Sequence, residues 1–402
     1  MDTTLTVAIP DVVLTSSFVT VPSFTFVNAK DFATIQAAID YAAAHGIGTV
    51  NIPAGTYTPD TTPAFTPVTL PDGITLQGDG RLTTLLSVRG KTAYKDAVMV
   101  AVEGNHCAMR DMTLVGYEAA LVAGVDPGTS SNSGRGVVVA MSTSTNVNDF
   151  RMERVSFASI PSSCLVLGSQ SSGSLAIYCS FEDCWFEDSR VNGTTNGTVA
   201  IVNATASSFA NCRLTYIHNA SLYMVQARGV AFRNCYFEDG AFDTNPFVVL
   251  GGYNFENRFD TCWFEKYAGG GSAYFIVANN RNHAQVFDSC HFIRNDATDS
   301  GLRVLNTNGT TYGGNKFTNR IKFANCTMYS AHTAPVASTA ISITPDLDAT
   351  LDTVLSDNNL FGVAGMISSA AVGESTLANW DASVSGGFTK ANHFKTLNAA
   401  YA

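Results

Sequence analysis

Six cysteines share one local pattern, and that repetition constrains this chain more than any other feature. The copies read Phe181-Glu182-Asp183-Cys184-Trp185-Phe186, Phe209-Ala210-Asn211-Cys212-Arg213-Leu214 and Phe232-Arg233-Asn234-Cys235-Tyr236-Phe237. Then come Phe259-Asp260-Thr261-Cys262-Trp263-Phe264, Phe287-Asp288-Ser289-Cys290-His291-Phe292 and Phe323-Ala324-Asn325-Cys326-Thr327-Met328. Successive cysteines are 28, 23, 27, 28 and 36 residues apart. Weaker copies at Met109–Leu114, Met152–Phe157 and Leu355–Leu360 bring the candidate rungs to nine. A unit this short cannot bury its own apolar face, whereas stacked copies can, which is the physics of a solenoid.

The segments between rungs decide which solenoid. Val137-Val138-Val139, Val199-Ala200-Ile201-Val202, Phe247-Val248-Val249-Leu250 and Phe275-Ile276-Val277 are strand-length and bounded by turn-forming residues. Each period therefore holds two or three short strands, and the fold class expected is all-β: a parallel β-helix with stacked strands about 4.8 Å apart. Within the repeat, the flanking apolar residues and the cysteine point inward. The residue before the cysteine (Asn, Asp, Ser or Thr) suits a bend between two strands, Asn and Asp tolerating left-handed backbone best. The opposite phase would bury Glu187, Glu238 and Glu265, which desolvation forbids without partners. The nine cysteines are an odd number and include no Cys-x-x-Cys pair, so a buried ladder of free thiols is expected, without a disulfide framework or zinc site.

Composition removes other classes. The formal charge is −10, charged residues are 14% of the chain and apolar residues 46%. An acidic chain does not suit a phosphate backbone, so nucleic acid is not expected as a partner. No apolar run is long enough to span a bilayer, so membrane insertion is not expected. No Lys or Arg precedes Lys30, so no secretory leader is expected and synthesis in a host cytoplasm is. A Gly-x-Ser-x-Gly elbow, a P-loop, His-Glu-x-x-His and Gly-x-Gly-x-x-Gly are all missing from the sequence. No cofactor and no metal are anticipated.

A stacked sheet needs a cover at its open end. Residues 31–45 form the best helix pattern, with Asp31 expected as its N-cap, Gly46 at its end, and Phe32, Ile35, Ala38 and Ile39 on one apolar face. The stretch from Ile35 to Thr58, IQAAIDYAAAHGIGTVNIPAGTYT, continued by LPDGITLQGDG, resembles the opening of the pectate-lyase-like right-handed parallel β-helix superfamily, as found in phage tailspikes and polysaccharide-acting enzymes. The motif covers about residues 29–82, and the rung pattern extends it to 362. Asn28-Ala29-Lys30-Asp31 departs from the paired acidic segment that often precedes that helix. The resemblance implies an N-terminal capping helix, a homotrimer and a bacterial surface glycan as ligand. The domain reading is an extended arm at 1–28 for attachment or subunit contact, the capping helix and first coils at 29–82, the β-helix at 83–362, and a cap or oligomerisation tail at 363–402.

The outward positions of the rungs are the candidate site. One residue after each cysteine the column reads Trp185, Arg213, Tyr236, Trp263, His291, Thr327; three after, it reads Glu187, Thr215, Glu238, Glu265, Ile293, Tyr329. Strand alternation sends both columns to one face. Aromatic faces beside carboxylates suit a sugar ring. Trp185, Arg213, Tyr236, Trp263, His291, Asp188 and Asp239 are therefore the expected substrate-binding residues, and Glu187, Glu238 and Glu265 the expected catalytic acids. Glu238 and Glu265 lie about one strand spacing apart and Glu187 and Glu238 about two, which loosely brackets both retaining and inverting geometries. A lyase would instead use Lys266 or Arg213 as base. The function expected is a phage tailspike or receptor-binding subunit, located in the virion and joined to other tail proteins through the arm, that binds a bacterial surface polysaccharide, with or without depolymerising it. The alternatives are a free polysaccharide lyase or glycoside hydrolase and a non-enzymatic virion protein.

Overall fold

The computed structural model describes residues 26–58, 67–88, 98–116, 135–140, 146–160, 162–169, 172–187, 197–215, 220–239, 246–266, 274–279, 282–294, 304–307 and 321–330, with strand segments 5–9, 12–16, 339–343, 354–361, 365–367 and 375–381. The chain winds as a parallel β-helix. Each coil contributes one strand to a first sheet, bends, contributes a strand to a second sheet, and crosses to a third sheet of eleven strands on the opposite side. A two-residue ladder at the corner, seen in Val147–Asn148 through Asn282–His283, leads back to the first sheet. All these pairings are parallel.

The nine rungs stack in register. Phe181, Phe209, Phe232, Phe259, Phe287 and Phe323 are successive partners in the first sheet, with Met109 and Met152 before them and Leu355 after. Their rings stack face to face with centroids 4.4–5.0 Å apart from Phe181 to Phe323. A second column pairs Phe237 with Phe264 and Phe264 with Phe292 at 4.6 and 4.8 Å. Strand spacing thus sets ring spacing, and every ring is removed from water.

The bend before each cysteine is left-handed, as the repeat anticipates. Asp183, Asn211, Asn234, Thr261, Ser289 and Asn325 have φ of 51–55°. Main-chain pairing continues through the bend: the Asn211 and Asn234 N–H groups donate to the Arg233 and Asp260 carbonyls at 3.0 and 3.1 Å. All nine cysteines are free and buried. The thiols of Cys212, Cys235 and Cys262 each donate to a phenylalanine carbonyl of the preceding coil at 3.6 Å.

The helix Ile35–Ala44 covers the first coil with Ile35, Ala38, Ile39 and Ala42 buried. Its N-cap is Thr34 rather than Asp31. Thr34 Oγ1 accepts the Ala37 N–H at 3.1 Å, while Ala29–Asp31 forms a separate short 3-10 turn. Gly46 follows the end of the helix with φ 67°, the conformation a C-terminal glycine supplies. Upstream, Leu5–Ile9 and Val12–Ser16 pair as an antiparallel hairpin. Downstream, Gly365–Ile367 continues the third sheet and Ser375–Asp381 the first and second.

The interior also holds amides that the apolar template does not announce. Asn254, Asn257, Asn282 and Gln285 are fully buried. Asn254 Nδ2 donates to Asn282 Oδ1 at 2.8 Å and Asn257 Nδ2 to Gln285 Oε1 at 3.1 Å. Their acceptor oxygens take the Ala227 and Val230 N–H groups at 3.0 and 2.8 Å. Each amide thus satisfies a corner backbone group and its own polar atoms, which burial requires.

Candidate active or binding face

The second sheet presents the expected columns on its outward side. Trp185 pairs in register with Arg213, Arg213 with Tyr236, Tyr236 with Trp263, Trp263 with His291, and His291 with Thr327. Glu187 is the partner of Thr215, and Glu238 of Glu265. The inward residues between them, Phe186, Leu214, Phe237, Phe264 and Phe292, are buried, so strand alternation fixes the outward face.

The members differ in what surrounds them. Trp185 is held between two guanidiniums, with the Arg81 Cζ 4.2 Å and the Arg213 Cζ 5.6 Å from its ring centroid. Arg213 Nη2 stands 3.8 Å from Glu238 Oε2, a loose, half-exposed pair. Tyr236 is 45% exposed and is the most open aromatic of the column. Trp263 and His291 meet with ring centroids 5.1 Å apart. The Trp263 indole N–H donates to Glu265 Oε2 at 2.6 Å, and Glu265 is only 7% exposed. A charge-assisted bond of that kind fixes the indole plane and occupies one carboxylate oxygen. Glu187 and Glu238 are half-buried.

Three expected positions need comment. Asp188 lies outside the described residues. Asp239 closes the strand Tyr236–Asp239, and its side chain lies outside them too. Lys266, offered as a lyase base, is corrected by its phase: it sits two residues from inward Phe264, is 4% exposed, and its Nζ lies 5.0 and 5.7 Å from the Phe247 and Phe275 rings. It belongs to the interior and not to the outward face.

Arg81 is the residue that sequence reasoning missed. At this level the bend between Thr75–Gly78 and Thr84–Ser87 is replaced by a turn that projects along the face. Gly78 permits this, because a Cβ there would fall 2.1 Å from the Asp111 carbonyl oxygen. Asp79 accepts the Ala54 N–H at 2.8 Å, the Gly80 N–H donates to the Asp111 carbonyl at 3.1 Å, and Thr113 donates to the Arg81 carbonyl. Arg81 then reaches Asp183, three coils along, with Nη2 2.9 Å from Oδ2. The signal available in sequence was the extra length of Asp79-Gly80-Arg81-Leu82-Thr83, where other rungs have a single bend residue.

Among the described residues no group of three His, Cys, Asp or Glu is placed to hold a metal ion, and no helix is long and apolar enough to cross a membrane. The arrangement is a shallow face of aromatic rings, two cations and three carboxylates, suited to stacking and hydrogen bonding with a polar ring.

Comparison with known proteins places this geometry in a fold. A family described as a protein of unknown function, DUF1565, matches residues 24–172. No curated protein matches by sequence. Among solved structures, the tailspike protein gp49 of Acinetobacter baumannii bacteriophage Fri1, a capsular polysaccharide depolymerase, is similar at 16% identity and TM-score 0.54, over 91% of this chain and 65% of that one. The catalytic unit of the GH87 α-1,3-glucanase of Streptomyces thermodiastaticus is similar at 12% identity and TM-score 0.54, over 90% and 69%. The A-module of the mannuronan C-5 epimerase AlgE6 of Azotobacter vinelandii is similar at 15% identity and TM-score 0.53, over 90% and 100%. The chain has the right-handed parallel β-helix fold that these proteins share.

Proposed function

We propose that this protein binds a bacterial surface polysaccharide along the outward face of its second sheet, as a subunit of a phage tailspike. The observation that carries the reading is the in-register column Trp185, Arg213, Tyr236, Trp263 and His291 beside Glu187, Glu238 and Glu265. A column with a ring on four of its five coils, three of them consecutive at a repeat of about 4.8 Å, offers stacking surfaces that a polysaccharide chain laid along it meets together. Trp263, braced by Glu265, is a preorganised platform, and Tyr236 is the accessible one. The fold it shares with a capsular depolymerase, a glucanase and an epimerase supports a sugar ligand. In this reading the protein works as a homotrimer in the virion, joined to other tail proteins through its N-terminal segment.

Depolymerisation is the second reading, favoured by one observation: Glu238 and Glu265 are register partners on adjacent strands, about the separation a retaining glycosidase uses. The test is a panel of capsular and lipopolysaccharide glycans, scored for retention on the immobilised protein and for chain shortening. Retention of at least one glycan that drops tenfold or more in Tyr236→Ala and Trp263→Ala is expected. Shortening that disappears in Glu238→Gln and Glu265→Gln, with retention kept, would assign catalysis to these acids. Retention that is indifferent to both aromatic substitutions would remove the face from consideration.

A further inference from the structure

A second set of outward side chains lies at a different corner, where the two-residue ladder meets the first sheet. Asp72, Asn105, His106, Asn148, Asp149 and Tyr178 line an open groove of about 810 Å³. They come from four successive coils. A hydrogen-bonded staircase forms one wall. The Asn105 N–H and Nδ2 donate to Asp72 Oδ1 at 2.6 and 3.2 Å, and the Asn148 N–H and Nδ2 donate to Asn105 Oδ1 at 2.9 and 2.8 Å. The other wall is a column of left-handed bends at His106, Asp149 and Tyr178, with φ of 55–57°. The His106 N–H donates to the Asn148 carbonyl and the Asp149 N–H to the Ile177 carbonyl at 2.8 and 2.9 Å, so the three stand one above another.

The charges within the groove are fixed. Arg151 donates from Nε and Nη2 to the two Asp149 oxygens at 3.0 and 3.1 Å, and His106 Nδ1 stands 3.2 Å from Oδ2. Arg151 first, and His106 after it, hold the Asp149 carboxyl below the usual carboxylate range. Tyr178 is 64% exposed. The next two members of its column are Ala206 and Gly229, also left-handed. Within its own column, therefore, the far face of the ring meets nothing larger than a methyl group.

The chemistry narrows the ligand. An anion is opposed by Asp72, and the Arg151 guanidinium that would attract it is already paired with Asp149. An apolar molecule finds one ring among five polar side chains. A bare cation finds Asp149 already taken by Arg151 and His106. An uncharged polyhydroxylated ring matches every feature: a C–H face for Tyr178, and hydroxyls for amides, carboxylates and imidazole. We infer that this groove is a second carbohydrate site, which takes one uncharged hexose unit with its ring stacked on Tyr178 and its hydroxyls on Asn148, Asp149 and His106. It stands on different residues from the outward face of the second sheet. Two separate sites on one chain raise avidity for a long polymer without a tight site at either place.

Saturation-transfer NMR on the full chain, with the methyl glycosides of glucose, galactose and N-acetylglucosamine at millimolar concentration, tests it. Transfer to at least one glycoside is expected. Tyr178→Asn, chosen because asparagine accepts left-handed backbone, is expected to weaken that binding at least tenfold, and Tyr178→Phe to keep it within threefold. Loss in Tyr178→Asn with retention in Trp263→Ala supports the groove whatever becomes of the second-sheet face. Loss in Trp263→Ala alone keeps that face and overturns the groove. Absence of transfer to all three glycosides, or equal binding by Tyr178→Asn, overturns it as well.

Discussion

At the residue scale, the bend positions carry the most specific information. Left-handed backbone costs an ordinary residue about 1–2 kcal/mol, less for Asn or Asp, whose short polar side chains bond locally. Asn211, Asn234 and Asn325 meet that demand, whereas Thr261 sits there at φ 54° with a β-branched side chain. Thr261→Asn is therefore expected to raise unfolding free energy by about 1 kcal/mol, and Asn234→Val to lower it by about 1–2 kcal/mol, both read from denaturant midpoints. The buried thiols give a pH prediction. Burial pushes the Cys107 thiol up to about 11 and the Cys179 thiol up to about 12. Unfolded thiols ionise near 9.0, so above that pH the unfolded chain has lost protons that the folded chain keeps. Stability is thus complete below pH 9 and declines as pH rises toward 11–12, by on the order of 1 kcal/mol per pH unit per thiol. Thermal melts between pH 8 and pH 11 should show this fall, and Cys107→Ala with Cys179→Ala should make it shallower without removing it, because burial also pushes up the thiols of Cys212, Cys262 and Cys290.

At the element scale, the rung of each coil is a pair of short strands joined by one bend, and its strength lies in like side chains meeting across coils. Phe232 is stacked between Phe209 and Phe259 at 4.7 and 4.8 Å. Phe232→Ala opens a cavity in a continuous column and is expected to cost about 3–5 kcal/mol by chemical denaturation. The N-terminus of the capping helix is held by the Thr34 hydroxyl, and Thr34→Ala should cost about 1 kcal/mol in the same measurement. This scale also shows what a reader of the sequence can see. The phase of Phe181, Cys184 and Phe186 was legible because a period-two pattern admits only two solutions, and one of them buries glutamates. The outward columns followed from that phase. Arg81 was not legible, because its reach across three coils depends on how a turn leaves the stack and not on any repeat. Asn254 and Asn257 were hidden for the opposite reason: their amides serve backbone groups that no composition pattern marks. Tyr178 and Asp149 gained meaning only when the second bend of each coil aligned them.

At the scale of the whole molecule, a stack of coils has nearest-neighbour energetics, so its ends govern its persistence. The helix Ile35–Ala44 protects one end. If three chains associate, as the tailspike reading holds, sedimentation equilibrium should give three times the chain mass of 42.6 kDa, and dilution should not reduce it over the micromolar range. A species of a single chain mass at all concentrations would exclude the trimer.

The reach of Arg81 has a mechanical corollary. In an unbraced pile of coils, traction at the leading end would peel off one layer after another, each at modest force. Here the turn Asp79–Thr83 grips Asp111, and Arg81 grips Trp185 and Asp183. Four layers are thereby riveted together and must yield at once. A pull from the front should register as one large rupture followed by a series of smaller ones, and Arg81→Ala should turn that first event into a staircase.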